Sequence, residues 1–115
     1  MRMKIEIYIK GRDYYATGYY NDGEVTVSKG STIKYIESKS FKMNEAAKIA
    51  RNDSEKVKDG SLLINCIFSS PSTAAQFVTG GSRDGYDTWK VEKGVSLGDF
   101  LEAHGIRSRR RKMKE

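Results

Sequence analysis

The sequence predicts a small α+β domain: a mainly antiparallel sheet with about three short helices packed on one side, followed by a disordered basic C-terminal tail. Strand signals and helix signals occur in separate stretches of the chain. Residues 4–10 and 14–28 have the alternation and tight-turn patterns of antiparallel strands. Residues 70–80 and 96–105 begin and end with residues that cap helices.

The N-terminal part of the chain is strand-like. Residues 4–10 place an isoleucine at every second position, which predicts a strand with one buried face. Residues 14–28 predict a hairpin, because aromatic and β-branched runs flank the tight-turn sequence Asn21-Asp22-Gly23. Residues 32–36 are expected to continue the sheet after a break.

A helix is predicted over residues 45–52, in the middle of the chain. Asn44 precedes it and can cap its first turn. The apolar spacing places Ala46, Ile49 and Ala50 on the inner face of this helix.

Residues 62–68 form a near-continuous apolar run, which predicts a strand in the centre of the sheet. A sharp corner and a short helix follow. Pro71 suits the first helical position, because its missing N–H would have no partner there. Ser70 is expected to cap this helix, and Gly80 is expected to end it in a left-handed conformation.

The last predicted elements begin with a turn at Asp84-Gly85, followed by aromatic, strand-like residues. A last short strand is predicted over residues 89–91. A final helix is then predicted from its Ser96 cap, with Leu97, Phe100 and Leu101 as its apolar stripe.

The inventory of reactive side chains argues against an enzyme. Cys66 is the one cysteine and lies in an apolar run, so it is expected to be a buried thiol. His104 is the one histidine and is expected to cap the last helix. The sequence contains no cysteine–histidine cluster at metal-ligand spacing, no nucleophile elbow and no P-loop. We therefore expect no metal, no cofactor and no catalytic residues.

The formal net charge of +6 resides almost entirely in the last nine residues. The basic residues of this segment are Arg107, Arg109, Arg110, Arg111, Lys112 and Lys114. The rest of the chain has fifteen basic against fourteen acidic residues. We therefore divide the whole chain into one domain at residues 1–106 and a basic tail at residues 107–115. Such a tail attracts nucleic acid non-specifically, and it is equally typical of a solvated end. No apolar stretch has the length of a signal peptide or a membrane span, so a soluble cytoplasmic protein with no membrane partner is expected.

Six of the seven tyrosines precede residue 36. Two interpretations remain open. The rings can pack across strands of a small sheet, or they can form a stacking surface for the bases of a single-stranded nucleic acid. Adjacent pairs such as Tyr14-Tyr15 and Tyr19-Tyr20 point to both faces of a strand, so one ring of each pair is expected at the surface.

The start of the helix at Ser70 is the predicted anion-binding site. Free N–H groups at a helix N-terminus can receive a phosphate group. The candidate ligands for that phosphate are Ser70, Ser72, Thr73, Arg83 and Lys90. The alternative interpretation is that Ser70 alone satisfies the cap.

The second half of the chain carries an ordered series of motifs. In chain order these are Phe68-Ser69-Ser70-Pro71-Ser72-Thr73-Ala74-Ala75, Gly80, Asp84-Gly85-Tyr86, Trp89-Lys90, and Gly94 with Ser96-Leu97. The series resembles the domain-of-unknown-function family four-three-five-seven, over about residues 12–101. Three residues depart from that family's pattern: this chain has Thr73, Asp84 and Tyr86 at positions where the pattern has alanine, asparagine and tryptophan, respectively.

The resemblance implies a small α+β domain that often occurs beside GIY-YIG nuclease or restriction-type modules, and that has no established activity of its own. A related Ser-Pro-Ser module accompanies DNA methyltransferases. We therefore expect a non-catalytic accessory module that binds DNA or RNA. The alternatives are a protein-interaction or regulatory module, with a protein partner or as a homodimer through the tyrosine-rich sheet, and a small nuclease or hydrolase.

Overall fold

The computed structural model describes residues 4–12, 14–34, 45–81 and 84–105. The strands are β1 (Lys4–Lys10), β2 (Tyr15–Asn21), β3 (Glu24–Val27), β4 (Val57–Lys58), β5 (Ser61–Leu62), β6 (Cys66–Phe68), β7 (Lys90–Glu92) and β8 (Val95–Ser96). The helices are α1 (Glu45–Arg51), α2 (Pro71–Thr79), α3 (Gly85–Thr88) and α4 (Leu97–Ala103).

Six of these strands form one antiparallel sheet in the order β6-β3-β2-β1-β7-β8, and β4 pairs with β5 in a separate small hairpin. The predicted α+β class and antiparallel sheet are confirmed. The described residues contain four short helices, where the sequence predicted about three.

The predicted N-terminal strand and hairpin are confirmed. Ile5, Ile7 and Ile9 of β1 are buried, whereas the residues between them are half-buried or exposed. Strands β2 and β3 are joined by two residues, Asp22 and Gly23, with φ values of 51° and 95°. Positive φ at both positions is the geometry that an Asp-Gly hairpin turn favours, because its twist matches that of the strands. This turn sets which side of β2 faces the core.

The helices α2 and α3 lie on the face of the sheet that carries the isoleucines. The ring of Phe77 in α2 lies 4.8 Å from the ring of Phe68 in β6, measured between centroids. Tyr86 of α3 meets the Tyr20 ring of β2 edge-on at 6.3 Å. Leu101 of α4 is fully buried in the same core. The opposite face of β1 and β2 carries polar and aromatic side chains.

Helix α2 begins and ends as the sequence predicts. Pro71 occupies the first turn, and the Ser70 side chain accepts a hydrogen bond from the Thr73 backbone N–H. Gly80 ends the helix with a φ of 73°, and its N–H donates to the Gln76 carbonyl. These signals are local, so they act in the same way whatever the rest of the chain does.

The prediction of strand-like residues directly after the Asp-Gly pair is wrong. Asp84 instead caps α3, because its side chain accepts a hydrogen bond from the Tyr86 N–H at 3.0 Å. The last short strand predicted over residues 89–91 is confirmed as β7, which begins one residue later, at Lys90. Trp89 lies between the two elements and is fully buried.

The predicted central strand over residues 62–68 is also wrong. The chain bends at residues 63–65, and only Cys66–Phe68 joins the main sheet, where it pairs with β3 at the edge. Asn65 explains part of the bend, because its side-chain oxygen accepts a hydrogen bond from the Lys29 N–H at 2.7 Å. As a result three apolar side chains of this run are exposed to solvent: Leu63 by 40%, Ile64 by 45% and Ile67 by 66%.

The inner face predicted for the first helix is confirmed at Ala50 and wrong at Ala46 and Ile49. Ala47 and Ala50 of α1 are buried, whereas Ala46 is exposed and Ile49 is 59% exposed. The guanidinium of Arg51 donates to the backbone oxygens of Phe77 and Lys34, and this contact fixes the rotation of the short helix. The predicted cap Asn44 lies outside the described residues.

The predicted extension of the sheet over residues 32–36 is not formed where the chain is described. Thr32 makes an isolated bridge with Ser61, and residues 35 and 36 lie outside the described ranges. The last predicted helix is confirmed, since the Ser96 side chain accepts a hydrogen bond from the Asp99 N–H.

The buried phenol of Tyr20 predicts a loss of stability at high pH. Burial, and secondarily the neighbouring Tyr86, raises the pKa of Tyr20 from 10.0 to about 12. The folded protein favours the neutral phenol, so this contribution is complete below pH 10 and is lost as the pH rises through 12. In urea titrations, raising the pH from 9 to 12 should lower the free energy of unfolding more for the wild type than for Tyr20→Phe, by roughly 2 kcal/mol. Equal losses in the two proteins would contradict this assignment.

Candidate functional site

The tip of helix α2 brings together three of the predicted anion-binding residues. The Ser70 hydroxyl accepts a hydrogen bond from the Thr73 N–H at 3.1 Å, and it also contacts the Thr73 hydroxyl at 3.1 Å. The Ser72 hydroxyl accepts a hydrogen bond from the Gly85 N–H at 2.9 Å. All three hydroxyl groups therefore take part in hydrogen bonds within the protein.

The first residue of α3 packs directly on this tip. A Cβ placed on Gly85 would lie 2.1 Å from the Pro71 carbonyl carbon and 2.3 Å from the Ser72 backbone nitrogen. Lys90 donates to the Asp87 backbone oxygen at 2.8 Å. Arg83 lies outside the described residues. Phosphate binding at this tip stays a prediction, and an anion would have to compete with these contacts.

The basic residues of the tail were the other predicted contact to nucleic acid. Arg107, Arg109, Arg110, Arg111, Lys112 and Lys114 all lie outside the described residues. Their proposed electrostatic attraction for nucleic acid stays a prediction.

The two most reactive side chains have structural partners. Cys66 is buried, its thiol lies 3.7 Å from the Ile64 carbonyl oxygen, and burial raises the pKa of this thiol. A raised pKa disfavours the nucleophilic thiolate. His104 caps α4, with Nδ1 2.9 Å from the Phe100 oxygen and its ring stacked on Phe100 at 4.1 Å.

Two kinds of feature are absent from the described ranges. Within residues 4–12, 14–34, 45–81 and 84–105, no group of three or more acidic, cysteine or histidine side chains could hold a metal ion. None of the helices in these ranges is both long and apolar enough to cross a membrane.

A polar and aromatic surface lies on the side of β1 and β2 away from α2 and α3, and we call it the tyrosine face. Its residues are Lys4, Glu6, Tyr8 and Lys10 of β1 and Tyr15, Thr17, Tyr19 and Asn21 of β2. The register of the two strands places Glu6 opposite Tyr19, Tyr8 opposite Thr17, and Lys10 opposite Tyr15. Residues directly opposite in an antiparallel pair share one face of the sheet, so these side chains form one surface.

Two tyrosines of this face form a ring pair. The centroids of Tyr8 and Tyr15 are 6.4 Å apart, with 36° between the ring planes. Tyr15 is 50% exposed, which leaves much of one ring in contact with solvent. The register places Lys10 directly across the strands from Tyr15, on the same face of the sheet. The ring pair therefore shares this face with a lysine.

Tyr19, the third tyrosine of this face, contacts Lys4. The Lys4 ammonium nitrogen lies 4.4 Å from the centroid of the Tyr19 ring, which is the geometry of a cation–π contact. Tyr19 and Tyr15 lie on the same side of β2, four residues apart, so their Cα atoms are separated by roughly 13 Å. The face therefore has two separate aromatic positions, each with a lysine.

A shallow depression of about 310 Å³ lies between these two positions. The residues that line it include Tyr8, Tyr15 and Tyr19, together with Glu6. The hydroxyl residues Thr17 and Ser28 also line it. The depression thus combines aromatic rings with hydrogen-bonding groups of both kinds.

A second groove, of about 480 Å³, lies between the end of α1 and the β4–β5 hairpin. Arg51 contributes the guanidinium to its lining, together with Lys34 and Asp59. This guanidinium is held by the backbone oxygens of Phe77 and Lys34. The groove is thus lined by groups that already connect α1 to the rest of the fold.

Sequence reasoning predicted the surface tyrosines but not the whole face. The adjacent pair Tyr19-Tyr20 divides as expected, because Tyr20 is 2% exposed in the core while Tyr19 belongs to the tyrosine face. Lys4, Lys10 and Glu6 were not among the predicted site residues. The polar side of the alternation in β1 is the signal that could have indicated them, once its register with β2 is known.

Fold and surface together define a class: a small α+β domain with helices on one face of an antiparallel sheet and an aromatic, lysine-bearing surface on the other. The family model described as Domain of unknown function (DUF4357) matches residues 7–101. The match covers most of the chain, so the protein belongs to this family, as the motif resemblance indicated. No curated protein and no solved structure shows significant similarity to the chain.

Proposed function

We propose that this protein is a non-catalytic accessory module that binds single-stranded DNA or RNA through the tyrosine face. The observation that supports this function is the arrangement of the Tyr8–Tyr15 ring pair and the Tyr19 ring on one open sheet surface, each beside a lysine. Proteins that bind single strands combine aromatic side chains, on which bases stack, with positive charges that attract the phosphates.

Stacking supplies most of the binding energy in this proposal. Each base stacked on an aromatic side chain contributes about 1–3 kcal/mol. The half-exposed ring of Tyr15 provides the first position for a base. The second is the partly exposed Tyr19, where a base would stack on the side of the ring away from Lys4. Because every base has a π-face that can stack on a tyrosine ring, stacking alone does not select one nucleotide sequence over another.

The charges of the face are mixed, so its electrostatic attraction is modest. Lys4 and Lys10 attract phosphate, whereas Glu6 repels it and Glu24 lies one strand further along the sheet. The basic tail is expected to supply most of the salt-dependent part of the affinity. The neighbouring nuclease and restriction-type modules that the family resemblance implies are consistent with an accessory role on nucleic acid.

The test is the affinity of the full chain for a fluorescently labelled single-stranded oligonucleotide, measured by anisotropy. Tyr15→Ala should weaken binding about 5- to 100-fold, which corresponds to the loss of one stacked base. The matched control is Tyr15→Phe, which keeps the aromatic ring and should bind like the wild type. Thermal melting of each variant checks that this half-exposed position leaves the fold intact.

A second variant separates the face from the tail. In the full chain the six basic residues at positions 107–114 are changed to glutamine, which should flatten the dependence of affinity on salt. The effect of Tyr15→Ala should persist in this background. Absence of binding by the wild type, or equal binding by Tyr15→Ala, would refute the proposed function.

A protein-interaction role is the second candidate, and the exposed apolar residues at one end of the sheet favour it. Leu63, Ile64 and Ile67 surround the edge strand β6, and Ile49 of α1 is also exposed. Clustered apolar side chains beside an unpaired strand edge are typical of docking surfaces. Light scattering separates the two roles: self-association that Ile67→Lys abolishes would favour this candidate, and a monomer at all concentrations would count against a homodimer.

A further inference from the structure

The tyrosine face contains one carboxylate. Glu6 is exposed, lies directly opposite Tyr19, and forms part of the wall of the depression between the aromatic positions. A negative charge at this place repels the phosphates that Lys4 and Lys10 attract. A surface that only held the phosphate backbone would gain affinity by losing this carboxylate.

A carboxylate recognises a different part of a nucleotide. An ionised Glu side chain has acceptors only, so it can bind base edges that present N–H donors. Cytosine offers the N4 amino group, and acceptance of this hydrogen bond by Glu or Asp is a known base-reading contact. Thymine and uracil present a carbonyl oxygen at the same position, which the carboxylate repels.

The depression beside Glu6 suits a small base edge. Its volume of about 310 Å³ is at the lower end for a ligand site. Thr17 and Ser28 line it with hydroxyl groups, and the backbone of Ser28 is fixed to that of Thr17 by a 2.8 Å hydrogen bond. A base stacked on the Tyr8–Tyr15 pair or on Tyr19 would lie beside this depression, and Glu6 is the acidic residue that lines it.

We infer that Glu6 is a specificity-determining residue, and that the tyrosine face prefers cytosine over thymine or uracil at the base that stacks beside it. This inference rests on the proposed function. The tyrosines stack the bases and the Glu6 carboxylate selects among them. Substitution of a tyrosine should therefore lower the affinity, whereas substitution of Glu6 should change the preference for cytosine.

The experiment compares oligo-dC with oligo-dT of equal length and label at neutral pH, using the full chain. The wild type should bind oligo-dC about tenfold more tightly than oligo-dT, the discrimination expected of one well-placed base contact. Glu6→Gln keeps the size of the side chain but adds amide N–H groups, which can donate a hydrogen bond to the thymine carbonyl oxygen. The ratio of the two affinities should therefore fall to about one in this variant, mainly because oligo-dT binds more tightly.

Two further variants control for charge and fold. Glu24→Gln removes a carboxylate from the end of β3, opposite Asn21, and should leave the ratio near that of the wild type. Glu6→Ala should abolish the preference as Glu6→Gln does, which excludes an effect of the introduced amide alone.

The outcomes distinguish this inference from the function on which it rests. Equal binding of the two oligonucleotides by the wild type, or an unchanged ratio in Glu6→Gln, would overturn the role of Glu6 while leaving base stacking on the tyrosines in place. A fall of the ratio in Glu24→Gln as large as in Glu6→Gln would also overturn it, because general charge would then explain the preference. No binding of either oligonucleotide would overturn both proposals.

Discussion

Replacement of Gly85 with alanine should lower the free energy of unfolding by about 3 kcal/mol. A Cβ at this position would lie 2.1 Å from the Pro71 carbonyl carbon, 2.3 Å from its oxygen and 2.3 Å from the Ser72 nitrogen. All three atoms belong to the backbone, so no side chain can rotate away to make room. The first turn of α2 or the start of α3 must move, and overpacking of this kind costs about 1–3 kcal/mol or more.

The matched control is Gly81→Ala at the other end of α2. A Cβ on Gly81 would have no atom within 4 Å, and the residue does not adopt a positive φ. Chemical denaturation should therefore give a midpoint for Gly81→Ala close to that of the wild type, and a much lower one for Gly85→Ala. Similar midpoints for the two variants would show that α3 does not pack on the tip of α2 as described.

Replacement of Trp89 with alanine should be at least as damaging, at about 4–8 kcal/mol. Trp89 is among the largest fully buried side chains, and truncation of a buried Trp or Phe costs about 3–5 kcal/mol. Its indole N–H also donates to the Pro71 carbonyl at 3.1 Å, in the interior. Loss of this donor leaves a buried oxygen without that partner, which costs about 1–3 kcal/mol more.

The variant Trp89→Phe separates these two contributions. It restores much of the buried ring but not the N–H, so it should recover most of the volume cost and retain the hydrogen-bond cost. Denaturation midpoints should fall in the order wild type, Trp89→Phe, Trp89→Ala. A midpoint of Trp89→Phe as low as that of Trp89→Ala would assign the whole effect to the hydrogen bond with Pro71.

Both predictions concern the corner where α2, α3 and β7 meet. The contacts at this corner also occupy the tip of α2, which is the predicted anion-binding site. Gly85 lies against the start of α2, and the Ser72 hydroxyl is held by the Gly85 N–H. The motif residues of the family pattern here, Pro71, Gly85 and Trp89, therefore have a packing role. The function that we propose lies on the opposite, tyrosine-bearing side of the sheet.

The elements that could be predicted from sequence are those fixed by local chemistry. The Ser70 and Ser96 caps and the Gly80 stop act through hydrogen bonds or dihedral angles within one turn of helix. The alternation in β1 was equally informative, because side chains at every second position of a strand lie on the same face, which here places all three isoleucines in the core.

The elements that could not be predicted depend on contacts from distant parts of the chain. The apolar run at residues 62–68 bends where Asn65 meets Lys29, a contact across 36 positions. The rotation of α1 follows from the Arg51 guanidinium meeting Phe77, 26 positions away. Periodicity over seven residues could not select Ala47 over Ile49, because so short a helix has little apolar moment of its own.

The candidate site shows the same division. Adjacent tyrosines predicted one exposed ring in each pair, but the association of Tyr8 with Tyr15 follows from the register of β1 with β2. The cation–π contact of Lys4 with Tyr19 depends on that same register. A tight hairpin turn can be read from its residues, whereas the pairing of β1 with β2 is known only from the structure.

The most direct test of the proposed function is a two-dimensional ¹H–¹⁵N NMR titration of the full chain with a single-stranded oligonucleotide. We expect the largest shift changes on the backbone amides of β1 and β2, with Tyr8, Tyr15 and Tyr19 prominent among them. The amides of Thr73 and Gly85 should stay unchanged. Changes confined to the helix tip or to residues 107–115, with β1 and β2 unaffected, would contradict binding through the tyrosine face.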